Sequence, residues 1–527
     1  MEPMTARTVL VCFSLSACSA EGDVSTAHQG IITPAAINGR ANPTPTIEAR
    51  EVSAVWIPGN GNNVPGRWLM GFNAPLSMGT GVAYAGWSYS TNAAATSWSD
   101  HQQTSGTGWG NPGTSTHSHY PFLGWFGDPA MVYVTDPAVN NGGTRAVYAN
   151  IAASQAPGGS WVHEDIVAAV SSDGGQTWGG ATYITTNITA DGDADFPFLA
   201  SNPNPPYHIY ATWQSNGRTK YQQLIVDTAG TLTRGPQFGE VPLAVGQAFS
   251  LSANIAIGVV KKCSGVLHEA MYVTFQSSSV GHCIPNGTRQ IRSLHWWLAV
   301  YDTVVNTWDG PWEIASDANW PHCIGNTAST PSYAISNVDA PRIAVDTINP
   351  NFWITRTEGT AYGSRVVVHA GSAQCLGSGP PALWPAIRFP FCTPNKNGCN
   401  ADGTGRNDSM GNPIIEDEWG PAIGFAVQTG VPRVALSWNS TRFDPTHAGR
   451  FASTVMSYGE NYSSFSAPIT ISVASTGETV PWDQNLGTWE DYQAMGVNPY
   501  AGTFLAAWGG DYRMPLANGG IYTSILQ

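Results

Sequence analysis

Carboxylates recur at the heads of apolar, strand-like segments, and they are the first chemistry this sequence offers. Asp128 lies in GDPAMVYV (127–134), Asp195 in ADFPFLAS (194–201), Asp339 in VDAPRIAVD (338–346), Glu418 in EWGPAIGFAV (418–427) and Asp491 in EDYQAMGV (490–497). If those segments start at one common rim, five blades aim a carboxylate at the same place. Like charges so gathered raise one another's pKa, which suits a general acid paired with a base or nucleophile. Glu418 and Asp491 are the candidates for that catalytic pair. The same oxygens could hold a hard cation such as Ca²⁺, although the residues require no cofactor. The plainer alternative is that each carboxylate caps its own strand by accepting backbone N–H groups.

A second set of residues pairs aromatics with arginines. Trp213 precedes Arg218 in WQSNGR, Trp438 precedes Arg442 in WNSTR, and Trp508 precedes Arg513 in WGGDYR; a further segment, TRTEG, holds Arg356. A Trp face stacks on the C–H surface of a sugar, and a guanidinium fork binds a carboxylate at two points. Together they read as a glycan site, above all for an acidic sugar. The competing reading makes the Trp residues packing between sheets and the Arg residues partners of the acidic strand heads.

Both sets need elements that bring distant positions together, and a repeating pattern supplies them. After each acidic head comes a second β-rich segment: RAVYANI (145–151), HIYATW (208–213), FWITR (352–356), RVALSW (433–438) and FLAAW (504–508). Third segments such as IVAAVSS (166–172) and RVVVHAG (365–371) follow, and fourth ones such as ATYITT (181–186) close most units. Two less regular units fit within 52–90 and 254–302, making seven. Four-stranded sheets cannot each bury both faces alone. Packed radially about an axis, they can. The fold expected is therefore all-β, a β-propeller of four-stranded antiparallel blades, with seven blades favoured over six and a two-domain β-sandwich as the other architecture. The last unit stops after its third strand, so a strand from the other end of the chain must complete it; GIITPA (30–35) is the candidate.

One octapeptide carries a family resemblance. SSDGGQTW (171–178) matches the Asp-box, S-x-D-x-G-x-T-W, and so resembles sialidases and other propellers with bacterial neuraminidase repeats. In such a turn, which opens at Ser171, Asp173 accepts backbone N–H groups, Gly175 takes positive φ, Thr177 ties back to the backbone, and Trp178 plugs the space between sheets. Degenerate copies occur at STNAAATSW (90–98), YDTVVNTW (301–308) and SYGENYSSF (457–465). The resemblance implies an exo-acting glycoside hydrolase scaffold, with the boxes on the face opposite the active site. Sialidases carry their first substrate arginine in an F/Y-R-I-P motif, which is absent here. Arg342-Ile343 lacks the following Pro, and no catalytic residue is carried over. A non-catalytic module binding a glycan or a protein is the alternative.

The chain start reads as an address. Arg7 precedes the apolar run TVLVCFSLSA (8–17), and Leu15-Ser16-Ala17-Cys18 resembles the lipobox of bacterial lipoproteins. That implies a signal peptide over 1–17, a lipid-bearing Cys18, a flexible tether over 18–46 and a propeller over 47–527. The protein is then exported to the outer membrane or cell surface, or secreted, and touches membrane through that anchor. Six further cysteines agree with an oxidising compartment; Cys263–Cys283 and Cys392–Cys399 are the expected bridges. With a net charge of −14 and only 4 Lys against 18 Arg, a nucleic-acid footprint is missing. A charged fraction of 11% beside 21 Trp argues for a chain that buries much of its surface.

Overall fold

Seven antiparallel sheets account for the long strands of the computed structural model. It describes Gly39–Arg40 and most of residues 50–526. Outside the description lie 1–38, 41–49, 60–65, 74–84, 104–108, 114–121, 137–142, 156–160, 186–193, 203–207, 279–293, 318–339, 390–417, 441–450, 472–479, 482–492 and 510–520, with a few runs of three residues or fewer. Each sheet is a blade whose strands pair in chain order. The innermost strands are Arg50–Ile57, Phe122–Asp136, Asp195–Ser201, Leu251–Lys261, Arg342–Val345, Glu418–Gln428 and Ala494–Asn498. Blades five and six add short extra strands outside the four. The chain is thus a seven-bladed β-propeller, and no helix occurs among the described residues.

The first strands begin, and the second strands end, on what we term the upper face. Turns between first and second strands, and between third and fourth, lie on the lower face. Ring closure uses the chain start, but at Gly39–Arg40 rather than at 30–35, which lies outside the described residues. Gly39 pairs with Thr523 and Arg40 with Tyr522, so this two-residue strand is the outermost of blade seven. Packing closes the ring as well: Val52, Trp56, Trp68 and Phe72 of blade one share a core with Leu505, Ala507 and Ile525 of blade seven.

The cores lie between blades, as the alternation of each strand demands. Between blades one and two, Trp87, Trp109, Trp125, Tyr148 and Trp178 form one aromatic cluster. Trp109 stacks on Trp178 at 5.0 Å and meets Trp125 edge-on at 4.7 Å. Burial of each such ring contributes about 1.5–3 kcal/mol.

Residues 172–178 form the expected bend between the third strand, Trp161–Ser171, and the fourth, Gly179–Tyr183. Asp173 Oδ1 accepts from the backbone N–H groups of Gln176 and Thr177, each at 2.9 Å, and Ser171 Oγ accepts from Gly175 N–H at 2.8 Å. Thr177 ties back to the Asp173 carboxylate rather than to the backbone, its hydroxyl donating to Oδ2 at 2.5 Å. Burial alone would raise the Asp173 pKa, but the donors from Thr177, Ser171 and Gln176 hold it below the ordinary value. Gly175 has φ +87°, and a Cβ there would stand 2.4 Å from Leu69 Cδ1 in blade one.

The disulfide pairing differs from expectation. Cys263 bonds Cys375, not Cys283. Cys263 lies in a lower-face turn, and the next strand, Leu267–Ser278, runs roughly 36 Å away at about 3.3 Å per residue. Cys375 instead follows a third strand, Gly363–Ser372, that ends on the lower face. Lys261 N–H donates to Ala373 O at 3.1 Å and Cys375 N–H to Lys261 O at 2.7 Å, placing the cysteines side by side. Cys283, Cys392, Cys399 and Cys18 lie outside the described residues.

Two outcomes follow. Non-reducing peptide mapping recovers a Cys263–Cys375 cross-link, and Cys375→Ser lowers the free energy of unfolding by about 4 kcal/mol, the scale for a loop of this size. Gly175→Val, which combines strained backbone with a clash across two blades, lowers it by about 2–4 kcal/mol in chemical denaturation.

Candidate functional site

All seven innermost strands converge on one cavity of about 170 Å³ near the upper end of the central channel. Most of its lining residues are aliphatic, but polar atoms make up the greater part of the surface that faces the cavity; Ser53, Asn254, Arg342 and Gln493 are the polar side chains and Phe198 the aromatic one. The local sequence explains how these residues reach the axis. Several strands open on a Pro preceded by a residue in the left-handed region: Asp128 (φ 58°) before Pro129, Phe196 (φ 51°) before Pro197, and Gly420 (φ 60°) before Pro421. Register shifts mark bulges at these heads, between Gly127 and Ala130, Asp195 and Phe198, and Trp419 and Ala422. Non-glycine residues there store about 1–3 kcal/mol each. The residue after the Pro lines the cavity at Phe198 and Ala422, Pro129 itself does so in blade two, and Arg342 lines it after Pro341 with no bulge at that head.

Each polar wall residue has a distinct environment. Asn254 Oδ1 accepts the N–H of Ile343 at 3.0 Å, tying blade four to blade five, and Ser53 Oγ accepts that of Met131 at 3.0 Å, tying blade one to blade two. The Arg342 guanidinium lies 4.8 Å from the ring centre of Phe198. Gln493 is only 4% exposed, yet neither its Nε2 nor its Oε1 finds a hydrogen-bond partner among the described residues. A buried amide left so costs on the order of 1–3 kcal/mol until a ligand or water pairs with it.

The expected carboxylates are placed differently. Asp195 accepts its neighbour's N–H, from Phe196 at 2.9 Å, which is the capping alternative. Asp128 is buried within its bulge, its own N–H donated to Asn73 Oδ1 at 2.8 Å. Glu418 is 1% exposed, held between blades five and six: Oε2 faces the Val366 N–H at 3.4 Å and Oε1 the Ser440 hydroxyl at 3.5 Å. The reason is register. The acid stands one residue before the Pro at Asp128, two at Asp195 and three at Glu418, so the bulge turns each a different way. Asp339 and Asp491 lie outside the described residues. No group of three or more His, Cys, Asp or Glu placed to hold a metal occurs among the described residues.

Of the aromatic–arginine pairs, the Trp residues follow the packing alternative. Trp213, Trp438 and Trp508 are 2%, 0% and 3% exposed, so none presents a face to solvent. Trp213 and Trp438 belong to inter-blade cores. Arg442 and Arg513 lie outside the described residues. Arg218 is half-buried on the upper face, opposite Ser215 across the two-residue turn Asn216-Gly217.

Arg356 is buried in a charge network between blades four and five. Its guanidinium stands 4.4 Å from the Trp296 ring centre, its Nε–H donates to His369 Nε2 at 3.0 Å, and Nη2 pairs with Glu358 at 3.2 Å. Arg365 and Arg388 hold the same carboxylate, at 2.7 and 3.1 Å. Burial would raise Glu358, but Arg388, Arg356 and Arg365 bring it down to about 2. Burial, then the charges of Arg356 and Arg388, push His369 down to about 3. The imidazole is therefore neutral at pH 7 and serves Arg356 as an acceptor.

Sequence reasoning missed Phe198, Asn254 and Gln493 and passed over Arg342 as a cavity residue. Aligning strand heads on their Pro, rather than on their acid, would have found Phe198 and Arg342.

No family profile matches this sequence, and no curated protein does. Solved structures match more loosely. A point mutant of NanB sialidase from Streptococcus pneumoniae aligns over 94% of this chain and 70% of its own, at 9% identity and TM-score 0.34. Trypanosoma rangeli sialidase, in complex with a difluoro-KDN, aligns over 76% and 53%, at 9% and 0.33. A polysaccharide lyase of family PL25, an ulvan lyase, aligns over 92% and 94%, at 11% and 0.41. The likeness concerns the fold only.

The His369 environment has a measurable consequence. Its folded pKa lies below the unfolded value of 6.5, so the unfolded chain binds the extra proton first and stability falls on acidification. Unfolding free energy drops by about 2 kcal/mol between pH 8 and pH 5 through this group. Glu358, also depressed, adds its loss only below pH 4.5. Denaturant titrations of His369→Gln across pH 5–8 show the slope flattened.

Proposed function

We propose that this protein is an exported carbohydrate-binding propeller that takes the end of a glycan into the upper mouth of its channel. The observation that carries the reading is the buried Gln493 amide, with both donor and acceptor open among the described residues, in a cavity walled by all seven blades that Arg342 also lines. A sugar's vicinal hydroxyls offer one donor and one acceptor at the spacing an amide needs, and water serves such an amide less specifically. Arg342 adds a preference for a carboxylate or sulfate on that sugar. The mostly polar surface of the cavity suits the hydroxyls of a pyranose, and its smaller apolar part the C–H face. The Cys263–Cys375 bond fits an oxidising compartment outside the cytoplasm.

Binding is favoured over hydrolysis by the placement of Glu418, which is buried between blades five and six beside the Val366 N–H and the Ser440 hydroxyl. The hydrolytic reading keeps Asp491, two residues before Gln493, as its acid.

An array of neutral and acidic oligosaccharides, followed by calorimetry, tests this. The expected outcome is retention of acidic glycans, weakened about tenfold or more by Arg342→Met and by Gln493→Leu. His369→Gln, away from the channel, leaves binding unchanged. Failure of the unaltered protein to retain any glycan would overturn the proposal. Release of product from a fluorogenic glycoside panel, abolished by Asp491→Asn, would instead establish the hydrolase.

A further inference from the structure

The lower face of the ring carries apolar side chains where tight turns usually carry polar ones. Val266 and Leu267 sit at the first lower-face turn of blade four, Val304 and Val305 at its second, Ile348 at the neighbouring turn of blade five, and Tyr500 on blade seven. All six are between 49% and 66% exposed. Solvent alone selects against such a set at turn tips, where Gly, Asn, Asp and Ser dominate.

These tips are held in place. Asp302 Oδ1 accepts the N–H of Val304 at 3.0 Å and of Val305 at 3.2 Å, Asp346 Oδ1 that of Ile348 at 2.8 Å, and Asn498 Oδ1 that of Tyr500 at 3.1 Å. The same device, an Asp or Asn capping the turn two residues before an apolar residue, thus recurs on three blades. Lys262 pairs with Asp302 at 2.6 Å and joins the first turn of blade four to the second. The Cys263–Cys375 bond and the Lys261–Ala373 hydrogen bond join blade four to blade five. The tips are therefore presented outward from a rigid base, with little ordering cost left for a partner to meet.

The chain path says what lies beyond them. The third strand of blade seven, Ile521–Leu526, runs from upper to lower face, and Gly39–Arg40 pairs with it antiparallel, with Gly39 opposite Thr523 and Arg40 opposite Tyr522. The strand Gly39–Arg40 therefore runs from the lower toward the upper face, with Gly39 on the lower side. Cys18, the expected lipid-bearing residue, precedes Gly39 by 21 positions, a reach of at most about 70–75 Å. The start of that strand and the apolar tips thus share the lower side.

We propose that the lower face rests on a lipid bilayer, with the aliphatic tips of blades four and five dipping into the interface and the channel mouth turned outward. A net charge of −14 gives no attraction to anionic headgroups, so insertion is apolar in origin and insensitive to salt. The contact orients a propeller that a lipid anchor alone would leave free to tumble. It is independent of what the mouth binds.

The test uses the chain from residue 18 onward carrying Cys18→Ser, which lacks both the apolar run at 8–17 and the lipid and leaves the face to act alone. It is floated with phosphatidylcholine vesicles at low and high salt, beside the same chain with Val305→Asp and Ile348→Asp added. We expect the first to float at both salt concentrations and the second to lose about tenfold or more of its partitioning. Both variants keep the thermal transition and any glycan binding of the parent, because the substituted side chains stand in solvent. Absence of the Cys18→Ser chain from the vesicle fraction overturns the proposal, as does equal flotation of the two chains. So does a change from dimer to monomer on substitution without vesicle binding, which would assign the face to a second copy of the chain.

Discussion

Burial between blades is the interaction on which this molecule depends. A four-stranded sheet has two faces and no interior of its own, so each blade is only as stable as its contact with the next. That requirement explains a composition that is otherwise odd. Charges amount to 11% of residues because each blade has two faces to bury, and 21 Trp are present because wide gaps between splayed sheets need large plugs. It also explains why the ring is closed twice, by the Gly39–Arg40 strand and by the core that blades one and seven share. An open ring would leave two apolar faces in water.

The fold was legible because both of its determinants are local. Period-two alternation marks each strand, and the turn residues between strands set the count of units, so seven blades could be read without any contact. The bend at Ser171–Trp178 was legible for the same reason: its hydrogen bonds join residues no more than four apart. Contacts made across blades were not. The Cys263–Cys375 bond links residues 112 apart, and nothing near Cys263 distinguishes Cys375 from Cys283 until the strand directions are known.

The functional residues were misread through parity and register. Arg356 follows an aromatic-rich strand, and its type alone fits either a ligand or a neighbour. Its partners in the sheet decide. Arg356 pairs with Val367, and Glu358 with Arg365, which puts both pairs on the face toward blade four, beside Trp296. A buried guanidinium needs a carboxylate and further acceptors, and Glu358, His369 and the Thr357 carbonyl are those groups. The Trp residues before the arginines misled in the same way, since an inner-facing ring and a sugar-stacking ring look alike in a sequence.

The Pro-headed bulges connect these errors to the site itself. A strand that entered the ring in regular pleat would place every second residue toward the axis, acids included. A left-handed residue before Pro breaks the pleat once, at the rim. The carboxylate then turns back to cap or to pack, and the residue beyond the Pro swings to the axis. Phe198 and Ala422 reach the channel in this way, Arg342 reaches it after Pro341 without a bulge, and one guanidinium and one open amide stand among its polar groups. In such a cavity water competes less for either group than it would at an open surface, so each polar contact made there discriminates more sharply between ligands. Strain at the strand heads is therefore better understood as the means of positioning recognition groups than as a defect of the ring.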